Sequence, residues 1–454
     1  MHSRLIFQLP PSKATALFPL SSSVTRTSLN PWMWWSLGVF LVLLLVLLFI
    51  LYLQGAFYNK VDYRMKEVPG LEEPHFPLAM MGVSASHLTH GKPIGYWFNI
   101  DAIYKAREEA IRSARHTIHF ETFYMTPGRR ADDFAAALIE RAKAGVEIQL
   151  IADRFGVNAI PKEYWQNLQA AGVDVRFFHK FSWKAPLTYN IRTHRKLLLI
   201  DGKIALVGGT GVSDHWDGMK ETGDEGPWLD FEIGFQGPIV ATLEGIFTQH
   251  WMYVGGIGSL SQKIFQPSVT NGPTILVTPS EFPSASSSVH ALFYTSVLAA
   301  KKRLWIASPY FLPDRNSRNA LLKAKEKGVD VRVLTVGPHN DKQMVYYAVR
   351  ERYRELLRAG IEIYEYQPSM MHAKVLLIDE HWVGTGSANY DPRSLFHNDE
   401  LNVSLAEPKF AEFVEEFFQH GFSKSRRIHL AKWQARPLTN RLLGRLALFF
   451  HWQL

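Results

Sequence analysis

The sequence predicts an α/β protein of two pseudo-symmetric lobes, with mainly parallel or mixed sheets flanked by helices, behind one N-terminal transmembrane helix. Three observations carry that prediction. Helices and strands alternate in the same order in both halves of the chain. Glycines recur at matching places within that order, and an uncharged apolar run stands near the N-terminus. At 454 residues there is chain enough for about two to three ordinary domains.

Taken in order, residues 1–31 form a leader carrying Arg4, Lys13 and Arg26 and no acid. Next comes WMWWSLGVFLVLLLVLLFILYL, residues 32–53, which holds no charge. Such a run is long enough to cross a hydrocarbon core about 30 Å thick. Tryptophans at one end, with Tyr52 and Tyr58 near the other, suit interface anchoring. A cleaved signal peptide would have a shorter apolar stretch and small residues before its cleavage site; a buried core helix is the other reading. Residues 54–93 read as a juxtamembrane linker, mixing Lys60, Arg64 and Lys66 with Asp62, Glu67, Glu72 and Glu73. The all-basic leader favours a cytoplasmic N-terminus with the body outside.

The first lobe spans residues 94–257. In it AIRSARHTIHFETFYMTP reads as a helix end followed by a strand, and FAAALIERAKAGVEIQLIAD as helix, glycine, strand. YWQNLQAAGVDVRFF repeats the unit. After a linker over 258–273, the second lobe, 274–423, runs through SVLAAKKRLWIASPYFLP, RNALLKAKEKGVDVRVLTVG and YRELLRAGIEIYEY. Gly145 answers to Gly328 and Gly172 to Gly360, each where a helix stops and the chain turns into a strand. Alternating helices and strands argue for parallel pairing with helices on both faces.

Residues 424–454 form a basic tail with Lys424, Arg426, Arg427, Lys432, Arg436, Arg441 and Arg445 and no acid. Leader and tail together hold more positive charge than the net +8, leaving the body slightly acidic. That disfavours a nucleic-acid partner, which is met by basic surface around a site. Trp433, Leu442, Leu446, Phe449 and Trp452 punctuate the tail. It reads either as a basic amphipathic segment on anionic lipid or as a solvated terminal helix. There is no cysteine, which excludes disulfides, thiolate zinc sites and cysteine nucleophiles.

Each lobe ends its repeat on His-x-Lys-x4-Asp: HRKLLLID from His194 to Asp201, and HAKVLLID from His372 to Asp379. Period-2 geometry places His194 with Lys196, and His372 with Lys374, on one face of an extended segment. Two imidazoles and two ammonium groups make a site for substitution at an anion. The lysines supply charge to phosphate oxygens, one imidazole attacks phosphorus, and the other donates a proton to the leaving alkoxide. This chemistry calls for no metal or other cofactor, and no carboxylate or second histidine stands at ligand spacing beside either histidine. Downstream, Ser387 and Asn389 read as phosphate donors or as turn residues. Glu400 and Glu232 read as partners that fix a histidine tautomer. Asp201 and Asp379 lie an odd step from their histidines and read as structural.

The full pattern resembles the phospholipase D superfamily signature H-x-K-x4-D-x6-G-[GS]-x-N. His372, Lys374, Asp379, Gly386, Ser387 and Asn389 match every position. His194, Lys196, Asp201, Gly208 and Gly209 match in the first copy, where Gly211 replaces the asparagine. Within the superfamily the chain is most similar to bacterial cardiolipin synthases, on PYFLPD, SANYDPRSLFHNDE, THRKLLLIDGKIALVGG and PWLDFEIGFQGP. Those often carry two membrane segments ahead of the repeat, where one is visible here. The resemblance implies a phosphatidyltransferase of a bacterial inner membrane. It would join two phosphatidylglycerol molecules through a phosphohistidine and release glycerol, with His194 favoured as nucleophile. A hydrolase releasing phosphatidic acid is the alternative; a nuclease and an inactive membrane scaffold are remoter ones. Gly211 and the insertion DHWDGMKETGDEG are the departures from the pattern.

Overall fold

The computed structural model describes residues 30–53, 63–179, 190–265, 272–281 and 287–451. The leader cations, Tyr58, Lys60, Asp62, residues 266–271 of the expected linker and Trp452 lie outside these. The chain divides into two units, Met1–Tyr52 and Leu53–Leu454. In the first, helix α1 (Pro31–Leu53) has 23 residues, and its apolar side chains are exposed along most of its length. It is long and apolar enough to cross a membrane.

The second unit opens with α2 (Phe76–Ser84), β1 (His87–His90) and β2 (Lys92–Trp97). Then come α3 (Ile100–Ser113), β3 (Thr117–Thr122), α4 (Arg129–Lys143), β4 (Glu147–Asp153), α5 (Lys162–Ala170) and β5 (Asp174–Phe178). Strands β6 (Arg192–Thr193), β7 (Leu197–Ile200), β8 (Ile204–Gly208) and β9 (Glu232–Gln236) lead to α6 (Pro238–Tyr253). The second half runs β10 (Thr274–Ser280), α7 (Ser288–Ala299), β11 (Arg303–Ala307), α8 (Arg315–Glu326) and β12 (Asp330–Val336). It continues with α9 (Gln343–Glu351), α10 (Tyr353–Arg358), β13 (Glu362–Tyr366), β14 (Val375–Ile378) and β15 (Trp382–Gly386). It closes with α11 (Pro392–Phe396), β16 (Asn398–Ala406), α12 (Pro408–Ser423), β17 (Ser425–Arg427), α13 (Leu430–Gln434) and α14 (Leu438–Phe449).

One sheet has the order β2-β9-β8-β7-β3-β4-β5, and the other β1-β10-β16-β15-β14-β11-β12-β13-β17. Removing β1 and β17 from the second leaves the same order in both, so the sequence repeat is a structural repeat. The matched glycines take positive φ, 87° and 89° at Gly145 and Gly328 and 101° and 82° at Gly172 and Gly360. The sheets are mixed rather than mainly parallel. Only β3-β4-β5 and β11-β12-β13 run parallel along these orders. After each histidine motif the chain reverses in a tight turn, with Asp201 at φ 54° and Asp379 at φ 51°, and no helix crosses over. A hairpin without a crossover must pair antiparallel.

The two sheets share a core. Leu197, Leu199, Phe231 and Phe247 of one half pack in one cluster with Val375, Leu377, Leu401 and Phe417 of the other. Leu198 and Ile200 face the first lobe's own core instead, which is why these short strands are apolar on both faces. Strand exchange reinforces the contact. β1, from the segment read as linker, joins the second sheet, and β6 pairs with Asn398 and Asp399 of β16.

The tail is largely folded onto the second lobe. β17 pairs with β13, Arg426 and Arg427 meet Glu365 and Glu362, and Arg436 meets Glu351 at 2.8 Å. Trp433 is buried and donates to the Arg350 carbonyl. Trp433 and Arg436 are therefore turned inward, while Arg426 and Arg427 keep about half of their side chains exposed.

Candidate active site

His194 and Lys196 stand in extended chain just before β7, and His372 and Lys374 just before β14. All four are buried. The His194 N–H donates to the Asp399 carbonyl at 2.8 Å, and the His372 N–H to the Leu229 carbonyl at 2.7 Å. Each motif is thus seated on the opposite lobe. The side chains follow: His194 Nδ1 lies 3.0 Å from Glu400 Oε2, and His372 Nδ1 lies 2.9 Å from Asp230 Oδ2. An ionised carboxylate can only accept, so each Nδ1 carries the proton and each Nε2 keeps its lone pair.

The charges are mutually tuned. Burial, with Lys196 and Lys374 adding, lowers His194 to about 3 against the pull of Glu400. Burial and Lys374 lower His372 to about 4 against Asp230. Both imidazoles are neutral at pH 7. Burial and then Lys374 lower Lys196 to about 7, while burial brings Lys374 to about 8 against Asp230 and Glu400. Burial raises the Glu400 carboxyl, but His194, Lys196 and Ser387 outweigh it and bring it to about 2. The same balance, led after burial by His372, holds Asp230 well below the ordinary carboxylate range. Lys374 acts on Lys196 and on His194, and Lys196 on His372, so the two half-sites share one field.

The lysines differ in reach. Lys196 Nζ donates to the His194 carbonyl at 2.6 Å and lies over the Phe123 ring. Lys374 Nζ donates to the His372 carbonyl and also lies 3.0 Å from His372 Nε2. Aromatic rings flank both histidines: Phe123 beside His194, and Trp216 and Trp228 beside His372.

Glu232 does not reach a histidine. It forms a buried two-pronged pair with Arg107 of α3, at 2.7 and 2.6 Å. The partner of His372 is Asp230, two residues earlier on the same face of the chain. α6 and α12 begin at Pro238 and Pro408, and counting back eight residues from each proline gives Asp230 and Glu400. That count was available in the sequence and aligns the two carboxylates; Glu232 aligns with Asn402.

Ser387 Oγ donates to Glu400 Oε2 at 2.5 Å. Its counterpart is Gly209, where a Cβ would lie 2.2 Å from Asp230 Oδ1. Trp216, from the insertion, supplies the missing donor: its Nε1 reaches Asp230 Oδ2 at 2.7 Å. Gly211 has a steric reason. A Cβ there would lie 2.6 Å from the Tyr124 carbonyl and 2.8 Å from the Trp216 ring, while the Gly211 carbonyl accepts from Arg107 at 3.0 Å. Asn389 is buried in the other half, its Oδ1 without a hydrogen-bond partner among the described residues.

Asp201 and Asp379 stand at the far ends of their strands. Asp201 accepts from the N–H groups of Arg115, His116 and Thr117, and Asp379 from those of Lys301, Lys302 and Arg303. Each pins its hairpin to the start of the neighbouring strand. Among the described residues no cluster of three or more His, Asp or Glu is arranged to hold a metal ion.

A family model described as the phospholipase D-like domain of cardiolipin synthase matches residues 108–216 and 295–421, one segment around each histidine motif. The chain is 33% identical over 341 residues to a cardiolipin synthase of Alkalihalophilus pseudofirmus, covering 74% of this chain and 67% of that protein. It is 34% identical over 347 residues to cardiolipin synthase A of Pseudomonas fluorescens, covering 76% and 71%. With a probable cardiolipin synthase of Bacillus subtilis it shares 31% over 398 residues, 85% and 77% of the two chains. The fold is that of the phosphatidylserine synthase of Haemophilus influenzae, with a TM-score of 0.61 at 11% identity over 83% of this chain and 99% of that one. By the two-segment match and the identity to these relatives, the chain belongs to the cardiolipin synthase family of phospholipase D-like enzymes.

Proposed function

We propose that the protein is a membrane phosphatidyltransferase that makes cardiolipin from two phosphatidylglycerol molecules. One observation carries the reading: two neutral imidazoles, each oriented by a carboxylate of the opposite lobe, share a field with two buried lysines. His194 Nε2 attacks phosphorus, a P–N bond forms, and the P–O bond to the headgroup glycerol breaks. His372, protonated once the anionic phosphodiester is bound, gives its proton to the departing alkoxide. Neutral again, it takes the proton of a second phosphatidylglycerol's hydroxyl, whose oxygen displaces His194 from phosphorus. Cardiolipin leaves, and glycerol has been released.

The assignment of roles rests on the lysines. Lys374 lies 3.0 Å from His372 Nε2 and can relay a proton to the general acid, whereas Lys196 donates to a backbone carbonyl. In this reading α1 is a single membrane pass in a bacterial inner membrane, with the N-terminus cytoplasmic. The test is purified full-length protein in mixed micelles of phosphatidylglycerol and detergent. Cardiolipin with equimolar glycerol supports the proposal; phosphatidic acid alone makes the protein a hydrolase. Full activity in both His194→Ala and His372→Ala would remove the site from consideration.

A further inference from the structure

Among the described residues, helix α14 is packed on one side only. Gly444 lets it approach α9 closely, since a Cβ there would lie 2.6 Å from the Tyr347 carbonyl and from the Glu351 side chain. Gly444 and Ala447 are buried. On the opposite side, Leu438, Leu442, Leu446 and Phe449 are 71, 63, 57 and 44% exposed. At 100° per residue these four fall within an arc of about 80°. Arg445 borders that arc, and Arg441 lies beyond it. No acid occurs from Lys424 onward.

The C-terminal end of α14 also lies toward the end of α9 that is nearer the site. Arg436, just before α14, pairs with Glu351 at the C-terminal end of α9. α14 therefore runs antiparallel to α9, and Leu446 and Phe449 lie toward the α9 N-terminus, where Met344 is 43% exposed. Just before that N-terminus, Asp341 accepts from Tyr310 at 2.5 Å, and its charge reaches Lys374 of the candidate site.

We infer that the outer face of α14 is a docking surface for an anionic lipid bilayer, seating its leucine stripe among the acyl chains beside the site and its arginines at the headgroups. An exposed apolar stripe bordered by cations and free of acids is complementary to such a surface. The antiparallel packing on α9 gives the contact a purpose, because it sets the edge of the site next to the leaflet that holds the substrate. The inference deepens the phosphatidyl-transfer reading by naming how a lipid headgroup is presented.

The test uses the full chain in nanodiscs containing phosphatidylglycerol. Because the protein has no cysteine, Leu442→Cys, Leu446→Cys and, at an exposed position of α3, Glu109→Cys each accept a single fluorophore. Labels at 442 and 446 are expected to be quenched by doxyl-labelled lipid well above the label at 109. Quenching equal to that at 109 overturns the inference. Protection from aqueous iodide without doxyl quenching also overturns it, since it marks a protein contact instead. A second arm compares Leu442→Glu/Leu446→Glu with the parent protein. Turnover of bilayer phosphatidylglycerol should fall about tenfold or more, with turnover of a water-soluble short-chain phosphatidylglycerol unchanged. Equal turnover of bilayer substrate overturns the docking role. Failure of the parent on both substrates speaks against phosphatidyl transfer and leaves the quenching result standing.

Discussion

His194 of the first lobe and Glu400 of the second are joined by a 3.0 Å contact between Nδ1 and Oε2 across 206 residues of sequence. The pseudo-symmetric pair, His372 and Asp230, is separated by 142 residues. Each carboxylate holds its imidazole in the tautomer that leaves Nε2 unprotonated, so the lobes are chemically interdependent. Glu400→Gln and Asp230→Asn are each expected to lower kcat by roughly 10²–10⁴-fold, the range for losing a positioned acid–base group. Kinetics in mixed micelles, with circular dichroism to verify folding, check this; full kcat in either variant would contradict it.

Glu232 separates structure from chemistry. Replacing it with Gln leaves the Arg107 guanidinium buried without its anion, a change that costs roughly 3–5 kcal/mol. The expected result is a large fall in Tm, with a pH profile of unchanged shape in the protein that remains folded. A shifted pH profile would mean that Glu232 acts on a histidine after all.

The lysines set an alkaline limit on activity. In the free protein Lys196 sits at about 7 and Lys374 at about 8, so kcat/KM should fall as pH rises through that range. Stability moves the other way. Both groups lie below the ordinary lysine value of 10.5. Between the lowered values and that one the unfolded chain binds more protons, so the native state gains stability from these two groups as pH rises. Falling kcat/KM with a steady or rising Tm between about pH 7 and pH 9 is the signature; a parallel fall of both would show simple unfolding.

On the acid side the signs agree with one another. His194 and His372, at about 3 and about 4, refuse protons that the unfolded chain accepts near 6.5, and Glu400, at about 2, loses its pairing only below its ordinary 4.5. Stability should therefore decline from about pH 6.5 downward. His372→Gln should soften the upper part of that decline in a thermal-melt series against pH.

Asp201 and Asp379 are expected to matter for folding and not for chemistry. Asp201→Ala and Asp379→Ala each leave three strand-start N–H groups without their acceptor. A loss of about 2–3 kcal/mol is expected in denaturant titrations, with kcat per folded molecule retained. A large kcat defect in a fully folded variant would overturn this assignment.

Gly211→Asn completes the superfamily signature and is expected to harm the protein. The added side chain meets the Tyr124 carbonyl and the Trp216 ring, and Trp216 is the donor that holds Asp230. Overpacking of this kind costs roughly 1–3 kcal/mol. Lower Tm and lower activity together are expected; a gain in activity would show that the asparagine is missed.

Much of this was legible in the chain. The repeat, the glycines that end its helices and the apolar strands were readable because helix and strand periods are local properties. His194, Lys196, His372 and Lys374 stood out because the same spacing falls twice at the same place in the repeat. The expectation that Asp201 and Asp379 are structural followed from strand parity alone. Other features depended on which surfaces meet. Strand parity puts Asp230 and Glu232 on one face without saying which of them finds an imidazole and which finds Arg107. Composition made the tail basic, but packing on α9 decided that Trp433 and Arg436 turn inward while Leu442 and Leu446 turn out. The sequence by itself determined two lobes and the histidine–lysine pair that each contributes to the candidate site. Only the tertiary structure decided that each lobe's histidine is held by the other's carboxylate, and that Trp216 takes the place of a serine. Those partners lie far apart along the chain, and nothing brings them together until the two sheets close on their common core.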